Sequence, residues 1–415
     1  MTTADDIEPA EDFRQRARVW IAENLRPLPA NRAMSLNVRD EEWERTRELQ
    51  RQLYEGGFAG LCFPGEYGGL GLTRAHQTAF NEEVAGYEMP VLLNTPTLTV
   101  ALPTLLDFGT EEQKRRHIPP AIRGEKLWVQ LLSEPSGGSD LAGVLTRAEP
   151  DGDGFRLSGS KIWSSAAYVC DWGLCLARTD WAVPKHQGLT MFLIDMKAPG
   201  ITVQRIRQVN GNNEFCQEYF ENVYVPRDQV LGEVNDGWSV ASRQLFHERT
   251  AVGGGSKYLS GSGPGRGLST ATTPQLVQLL YDTGQQDDPR ARELVAELHA
   301  LTTVQGQLIA HIVGKIDTGE LDAKYSSVIR LFKGEAGVRR AEIGLELAGT
   351  NAVTDPAGGS SHAAFGVSFL FRQASALGGG SSEMSRNVVA ERVLGMPREY
   401  AADRGVPFNQ VRHGR

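Results

Sequence analysis

The hydrophobic period of this chain changes twice, and that change restricts its architecture more than any other feature. From about residue 9 to 122 the apolar residues recur at helical spacing, as Phe13, Ala17, Trp20 and Ile21 in one segment and Trp43, Leu49 and Leu53 in the next. The turn from Phe63 to Gly71 is too rich in Gly and Pro to continue a helix, whereas Gly109 to Lys114 opens one, with Thr110 placed to accept the first free amides. Between about 128 and 232 strand-like patterns take over. Trp172, Leu174 and Leu176 alternate with smaller residues, Leu189 to Ile194 is a short apolar run, and Tyr219 to Val225 is aromatic and β-branched. Turn signals at 151–154 and 198–200 interrupt these runs, and no long helical pattern intervenes, so an antiparallel sheet is expected. Helical spacing returns after Trp238 and recurs over about 289–315, 323–347 and 382–394. At 415 residues the chain exceeds one hydrophobic core. The expected organisation is therefore α+β and multidomain: a helical domain over 1–126, a middle antiparallel β domain over 127–233, a C-terminal helical domain over 234–398 and a tail over 399–415.

The surface chemistry narrows the partners. Acidic residues outnumber basic ones by 51 to 43, a net charge of -8, which argues against a nucleic-acid or anionic-membrane partner. No apolar run is read as membrane-spanning, and the acidic start of the chain lacks a signal-peptide core, so a cytoplasmic location is expected. Cys62, Cys170, Cys175 and Cys216 show no metal-ligand spacing and are expected to be reduced and structural.

Three stretches carry chemistry. Leu131 to Asp140 sets hydroxyls and two glycines in a turn whose backbone can approach a ligand, and Trp163 to Ser165 adds an aromatic plane flanked by hydroxyls. That pairing suits a flat polar ring with a phosphate tail, although an ordinary Ser/Gly turn has the same spelling. In the next helix Trp238, Ala241, Leu245 and Val252 share a face, and Glu248 falls in line with them. A carboxylate on an apolar stripe needs a partner, unless the stripe is narrower and Glu248 pairs with Arg249 at its rim. The Gly/Ser-rich stretch from Gly253 to about Thr273 reads as a flexible loop. Finally, 378–382 leads small residues into a serine-capped helix start, suited to a phosphate or equally to a plain cap.

Leu132 to Asp140, Lys161 to Ser165, His247 to Arg249, Gly379 to Asn387 and Ala390 to Gly395, in that order, resemble the acyl-CoA dehydrogenase family, and the likeness extends from the first helix to about Arg398. The resemblance implies a helical domain, a β domain and a C-terminal four-helix bundle, with FAD between domains and across a subunit interface. Matched residue by residue, Gln130, Leu132 and Ser133 would line the flavin ring and Gly138 and Ser139 its pyrophosphate, with Trp163, Ser164 and Ser165 as the second wall. Ser381 and Glu383 would hold the adenosine half, and Glu346 and Gly349 stand in the motif that reaches across the dimer. Ser139, Arg249, Gly379 and Gly380 would touch the acyl-CoA substrate.

The implied reaction is α,β-dehydrogenation to the trans-2-enoyl-CoA, in acyl-CoA or lipid catabolism. A carboxylate takes the α-proton, flavin N5 takes the β-hydride, and an electron-transfer-flavoprotein-type acceptor takes the electrons. Many relatives carry the base just before the last helix, where this chain has Gly379; a second branch carries it where this chain has Glu248. The stripe and the resemblance thus converge on Glu248. Two departures stand beside this match: 253–273 replaces an arginine-and-phenylalanine motif, and Glu346 to Thr350 replaces Gln-x-x-Gly-Gly. A homodimer or homotetramer is expected and a heteromer is possible, so a partner subunit of a heteromeric enzyme stays open as an alternative, beside a flavin oxidase or monooxygenase on the same fold.

Overall fold

The computed structural model describes residues 7–28, 40–253, 255–261, 272–354 and 362–411. The N-terminal part is helical: α1 (Ala10–Asn24), α2 (Asp40–Glu55), α3 (Arg74–Glu83), α4 (Leu102–Phe108) and α5 (Glu111–Ile122). Its core gathers the apolar stripes read from the sequence, with Phe58 packed between Phe13 and Phe80 at ring separations of 5.7 and 5.6 Å. α5 begins with a reciprocal cap. Thr110 Oγ1 accepts from the Gln113 amide at 3.2 Å, and Gln113 Oε1 accepts from the Thr110 amide at 3.0 Å. Thr110→Ala is expected to cost about 1 kcal/mol, read as a lowered urea midpoint with unchanged slope.

The window Val91–Phe108 reaches the length and hydropathy of a minimal membrane span, yet 67% of it is buried within the protein. It holds a π-helical turn, Asn94–Ala101, that runs into α4 and packs against the C-terminal helices and the sheet.

The middle region is one eight-stranded sheet of β1 (Trp128–Leu131), β2 (Arg147–Asp151), β3 (Gly154–Ser165), β4 (Trp172–Arg178), β5 (Leu189–Asp195), β6 (Ile201–Arg205), β7 (Phe215–Pro226) and β8 (Val230–Leu231). Its order is β6-β7-β3-β2-β4-β5-β8, with β1 beside β4. The sheet is mixed rather than purely antiparallel, because β4 runs parallel to both β1 and β2. The physical reason is connectivity: β1 and β4 are separated by a long loop and the β2–β3 hairpin, so no tight turn forces them to reverse. The four cysteines are buried and unpaired, and burial pushes their thiols up, Cys62 and Cys216 to about 11.

The C-terminal helices are α6 (Gly237–Gly253), α7 (Thr273–Asp282), α8 (Pro289–Asp317), α9 (Ser326–Ala348), α10 (Ala363–Leu377) and α11 (Ser382–Val388). α7 and α10 went unread in the sequence. α10 is rich in apolar residues, with Ser368, Arg372 and Ser375 at helical spacing on one face.

The stretch expected to be a flexible loop is partly pinned. Residues 254 and 262–271 of it lie outside the described residues. In 255–261, however, Asn94 Nδ2 donates to Ser260 O at 2.7 Å, Asn81 Nδ2 donates to Leu259 O at 2.9 Å, and the Gly261 amide donates to Asn81 Oδ1 at 2.8 Å. Two buried-side asparagines thus satisfy the backbone of the segment. The segment read as a tail also folds back. Phe408 and Asn409 donate their amides to Val183 O and Trp181 O at 2.9 Å, Phe408 is buried, and the Arg178 guanidinium lies 3.5 Å from its ring centroid.

Candidate active site

The Ser/Gly loop after β1 is held by a buried ion pair. Lys161 Nζ lies 2.8 Å from Glu134 Oε1 and donates to Leu132 O at 3.1 Å, with side-chain exposures of 0% and 4% for the two charged residues. Glu134 also accepts from the Leu145 and Thr146 amides at 2.5 and 2.9 Å, so one carboxylate ties the start of the loop to its end. These donors hold the Glu134 carboxyl below the usual carboxylate range despite burial.

Beside this loop, the Ile162 amide donates to Ser133 O at 2.9 Å, and the next residue, Trp163, adopts a left-handed backbone with φ 66°. A register shift between Ile162 and Ser164 produces that kink, and the indole is left 56% exposed. The loop backbone passes close to the Ser133 side chain, since a Cβ at Gly138 would stand 3.1 Å from Ser133 Oγ. Ser133, Gly138, Trp163 and Ser165 therefore border one open face, with Leu132 buried beneath it. Ser164 points the other way: its Oγ donates to Glu218 Oε2 at 2.9 Å inside the sheet.

Glu218 is fully buried, and desolvation pushes its carboxyl up to about 8. A carboxyl raised above its unfolded value destabilises the fold progressively as pH climbs from the unfolded value toward 8, because only the unfolded chain then ionises freely. Glu218→Gln is expected to remove a slope of up to about 1.4 kcal/mol per pH unit over that window. Thermal melts of both proteins from pH 5 to 9 check it; parallel curves would rule it out.

Glu248 is half-buried on α6, and three elements converge on it. The Gln130 side chain from β1, the Gly379 backbone before α11, and Arg249 and Arg330 all stand near enough to its carboxylate to favour the charged form. Desolvation outweighs these contacts and raises the Glu248 carboxyl above its ordinary value. Behind it, Gln244 Nε2 donates to Gln130 Oε1 at 3.2 Å. Gln244 is fully buried and was not singled out in the sequence, although it sits one turn before Glu248 on the same stripe. Gly379 is buried with φ 77°, whereas Gly380 is exposed with open space around it. Arg249 is half-buried with Nε unpartnered, and burial lowers its guanidinium pKa.

The structure thus brings Gln130, Glu248, Arg249 and Gly379 together, and separately Ser133 with Gly138 and Trp163. Ser139 is exposed on the loop; Ser381 caps α11 by accepting from the Met384 amide at 3.1 Å, and Glu383 is exposed beside it. Glu346 and Gly349 do not join either group. They end α9 at the surface, where Glu346 lies 3.5 Å from Arg290. A helix rises about 1.5 Å per residue, which places Glu346 well away from the Arg330 end of the same helix.

Comparison with known proteins follows the same outline. Family models described as acyl-CoA dehydrogenase N-terminal, middle and C-terminal domains match residues 8–125, 129–223 and 235–394. Acyl-CoA dehydrogenase IpdE1 of Mycobacterium tuberculosis is 33% identical over 404 residues, covering 95% of this chain and 99% of that protein. Acyl-CoA dehydrogenase FadE34 of the same organism is 34% identical over 93% of this chain and 51% of its own length. The solved Tcur3481-Tcur3483 steroid ACAD G363A variant superposes with a TM-score of 0.76 at 27% identity, covering 94% of this chain and 99% of that one.

Proposed function

The chain belongs to the acyl-CoA dehydrogenase family of flavoprotein oxidoreductases, and from that premise we propose that it dehydrogenates an acyl-CoA thioester between Cα and Cβ with Glu248 as the base. The observation that carries the assignment is the convergence of Gln130, Gly379 and Arg330 on one half-buried, partly desolvated carboxylate. Desolvation makes that carboxylate a stronger base than one in water, as abstraction of a weakly acidic α-proton requires.

The Gly379 amide has a second use. It stands near the Glu248 carboxylate and favours its charged form. A thioester carbonyl oxygen taking that amide would be polarised and would release the carboxylate toward the α-proton. Gln130, itself held by Gln244, keeps the carboxylate aimed meanwhile.

The open face beside Trp163 fits a flavin. An exposed indole on a kinked strand, with Ser133, Gly138 and Ser165 around it, offers a flat apolar wall and nearby hydroxyls for a planar polar ring. FAD, when bound there, supplies the acceptor for the β-hydride, so that the α-proton leaves to Glu248 and the product is the trans-2-enoyl-CoA. Gln130, Leu132, Ser133, Gly138, Ser139 and Trp163 to Ser165 would hold its ring and pyrophosphate, Ser164 through its backbone alone, and Ser381 and Glu383 its adenosine half. Electrons then pass to an electron-transfer-flavoprotein-type acceptor.

A multimeric enzyme with two homologous chains is the favoured assembly. α10 leaves Val367, Leu370 and Leu377 exposed, a surface suited to meeting a second chain. The names of two similar structures, Tcur3481-Tcur3483 and the ChsE4-ChsE5 complex of Mycobacterium tuberculosis, each join two components. The former is called a steroid ACAD, and this supports a bulky alicyclic acyl group as substrate here. Anaerobic bleaching of the flavin by a panel of straight, branched and polycyclic acyl-CoA thioesters tests the proposal. Bleaching with at least one thioester is expected. No bleaching in any assembly would overturn it, and rapid reoxidation by oxygen with product bound would favour an oxidase.

A further inference from the structure

On α9, five residues in from its start, Arg330 is completely buried, and none of its three guanidinium nitrogens has a hydrogen-bond partner. Its hollow is made by two glycines. A Cβ at Gly334 would lie 2.6 Å from Arg330 Nη1 and 3.0 Å from Ser382 Oγ, and a Cβ at Gly379 would lie 3.3 Å from Arg330 Nε. Ser382 Oγ is likewise buried without a partner. The Arg330 guanidinium and Val252, one turn after Glu248 on α6, both lie 3.3 Å from where a Cβ at Gly379 would stand, so Arg330 and the Glu248 region of α6 flank the same residue.

A buried cation without hydrogen bonds needs a compensating anion. Glu248 is the one charged group that acts on Arg330 appreciably. The other charges around Glu248 are positive. Arg249 follows it on α6, and Lys333, one turn beyond Arg330 on α9, donates to Val252 O and carries the influence of Arg330 and Arg340. Arg392 in turn acts on Arg249. Gln130 and Gly379 contribute dipoles, and the turn Asn94–Ala101 that packs on α6 contains no charge. The charges that act on this carboxylate are thus the two cations Arg249 and Arg330.

We infer that Arg330 is a positioning residue that holds Glu248 anionic and directed at the Gly379 amide, so that the base is both dry and ionised when substrate arrives. This rests on Glu248 being the base. The two demands conflict, because a carboxylate stripped of water tends to take a proton and a protonated base cannot work. A fixed cation on the side opposite the substrate resolves the conflict without solvating the oxygen that reacts. A side chain at 379 would crowd the same guanidinium, since a Cβ there would lie 3.3 Å from both Arg330 Nε and Val252 Cγ2.

The experiment uses flavin-loaded Arg330→Met and Arg330→Lys enzyme in the assembly that is active. Arg330→Met is expected to move the acid limb of the pH profile of kcat/KM upward by about one unit or more, costing about tenfold in rate per unit on the acid side and recovering at high pH. Arg330→Lys should return the limb most of the way. A uniform loss at every pH, with the limb unmoved, would show a merely structural residue and overturn the inference. A second measurement needs no activity: Glu248→Gln should lower Tm in the Arg330 protein and lower it less in Arg330→Met, where no cation is stranded. Equal losses in both backgrounds would also overturn it. Retention of most of the rate by Glu248→Gln would instead refute the base assignment itself, whatever Arg330 does.

Discussion

Glu248→Gln is expected to lower kcat by roughly 10²–10⁴-fold while the purified protein keeps its yellow flavin and its oligomeric state. The substitution preserves shape and leaves an acceptor for the Gln130 and Gly379 donors, so the site around it should stand. What disappears is a group able to take a proton. Because the α-proton of a thioester is only weakly acidic, water cannot substitute at a comparable rate. Anaerobic stopped-flow reduction isolates that step from reoxidation, and flavin absorbance before mixing reports loading. A mutant that bleaches at near the parent rate would end the assignment; one that arrives colourless would point to a defect in assembly instead. Glu248→Asp should fall between the two, because it keeps the charge beside Arg330 while withdrawing it by one methylene.

The largest structural effect should come from Lys161→Met. With the ammonium removed, the Glu134 carboxylate is left buried with only the Leu145 and Thr146 amides for company. Breaking a buried pair from one side typically costs about 3–5 kcal/mol. The loss should appear in two measurements that need not agree by chance. The urea midpoint should fall, and flavin affinity should fall further than Tm alone explains, because the same pair fixes the loop from Ser133 to Asp140 beside Trp163. Adding Glu134→Gln should recover part of the stability, since a neutral amide needs no counter-ion. A Lys161→Met protein as stable as the parent would mean that Glu134 simply takes a proton at little cost.

Much of this was legible in the sequence because period is a local property. The stripes of α1, α2 and α6, the capped start of α5 and the change to strand spacing each depend on residues a few positions apart, and all three domains of the family follow. Glu248 was legible for the same reason, being a carboxylate on an apolar face. What escaped depends on residues far apart in the chain. The parallel entry of β1 beside β4 is fixed by topology rather than by any local pattern. α10 was missed although Ser368, Arg372 and Ser375 recur at helical spacing within it. Gln244, Arg330 and the Gly379 contact escaped because a buried polar residue announces itself only through its partner. The inward turn of Ser164 follows from a register shift opposite β7, which a single strand's sequence does not record.

The return of Phe408 to the sheet bears on the order in which the protein is built. Arg178, on the strand next to β5, receives that ring, and it also donates to Ala142 O and Val144 O at 2.6 and 3.2 Å. The middle of the molecule is thus finished by residues the ribosome delivers some two hundred positions later. Until they emerge, the nascent sheet lacks the ring that covers the Arg178 guanidinium.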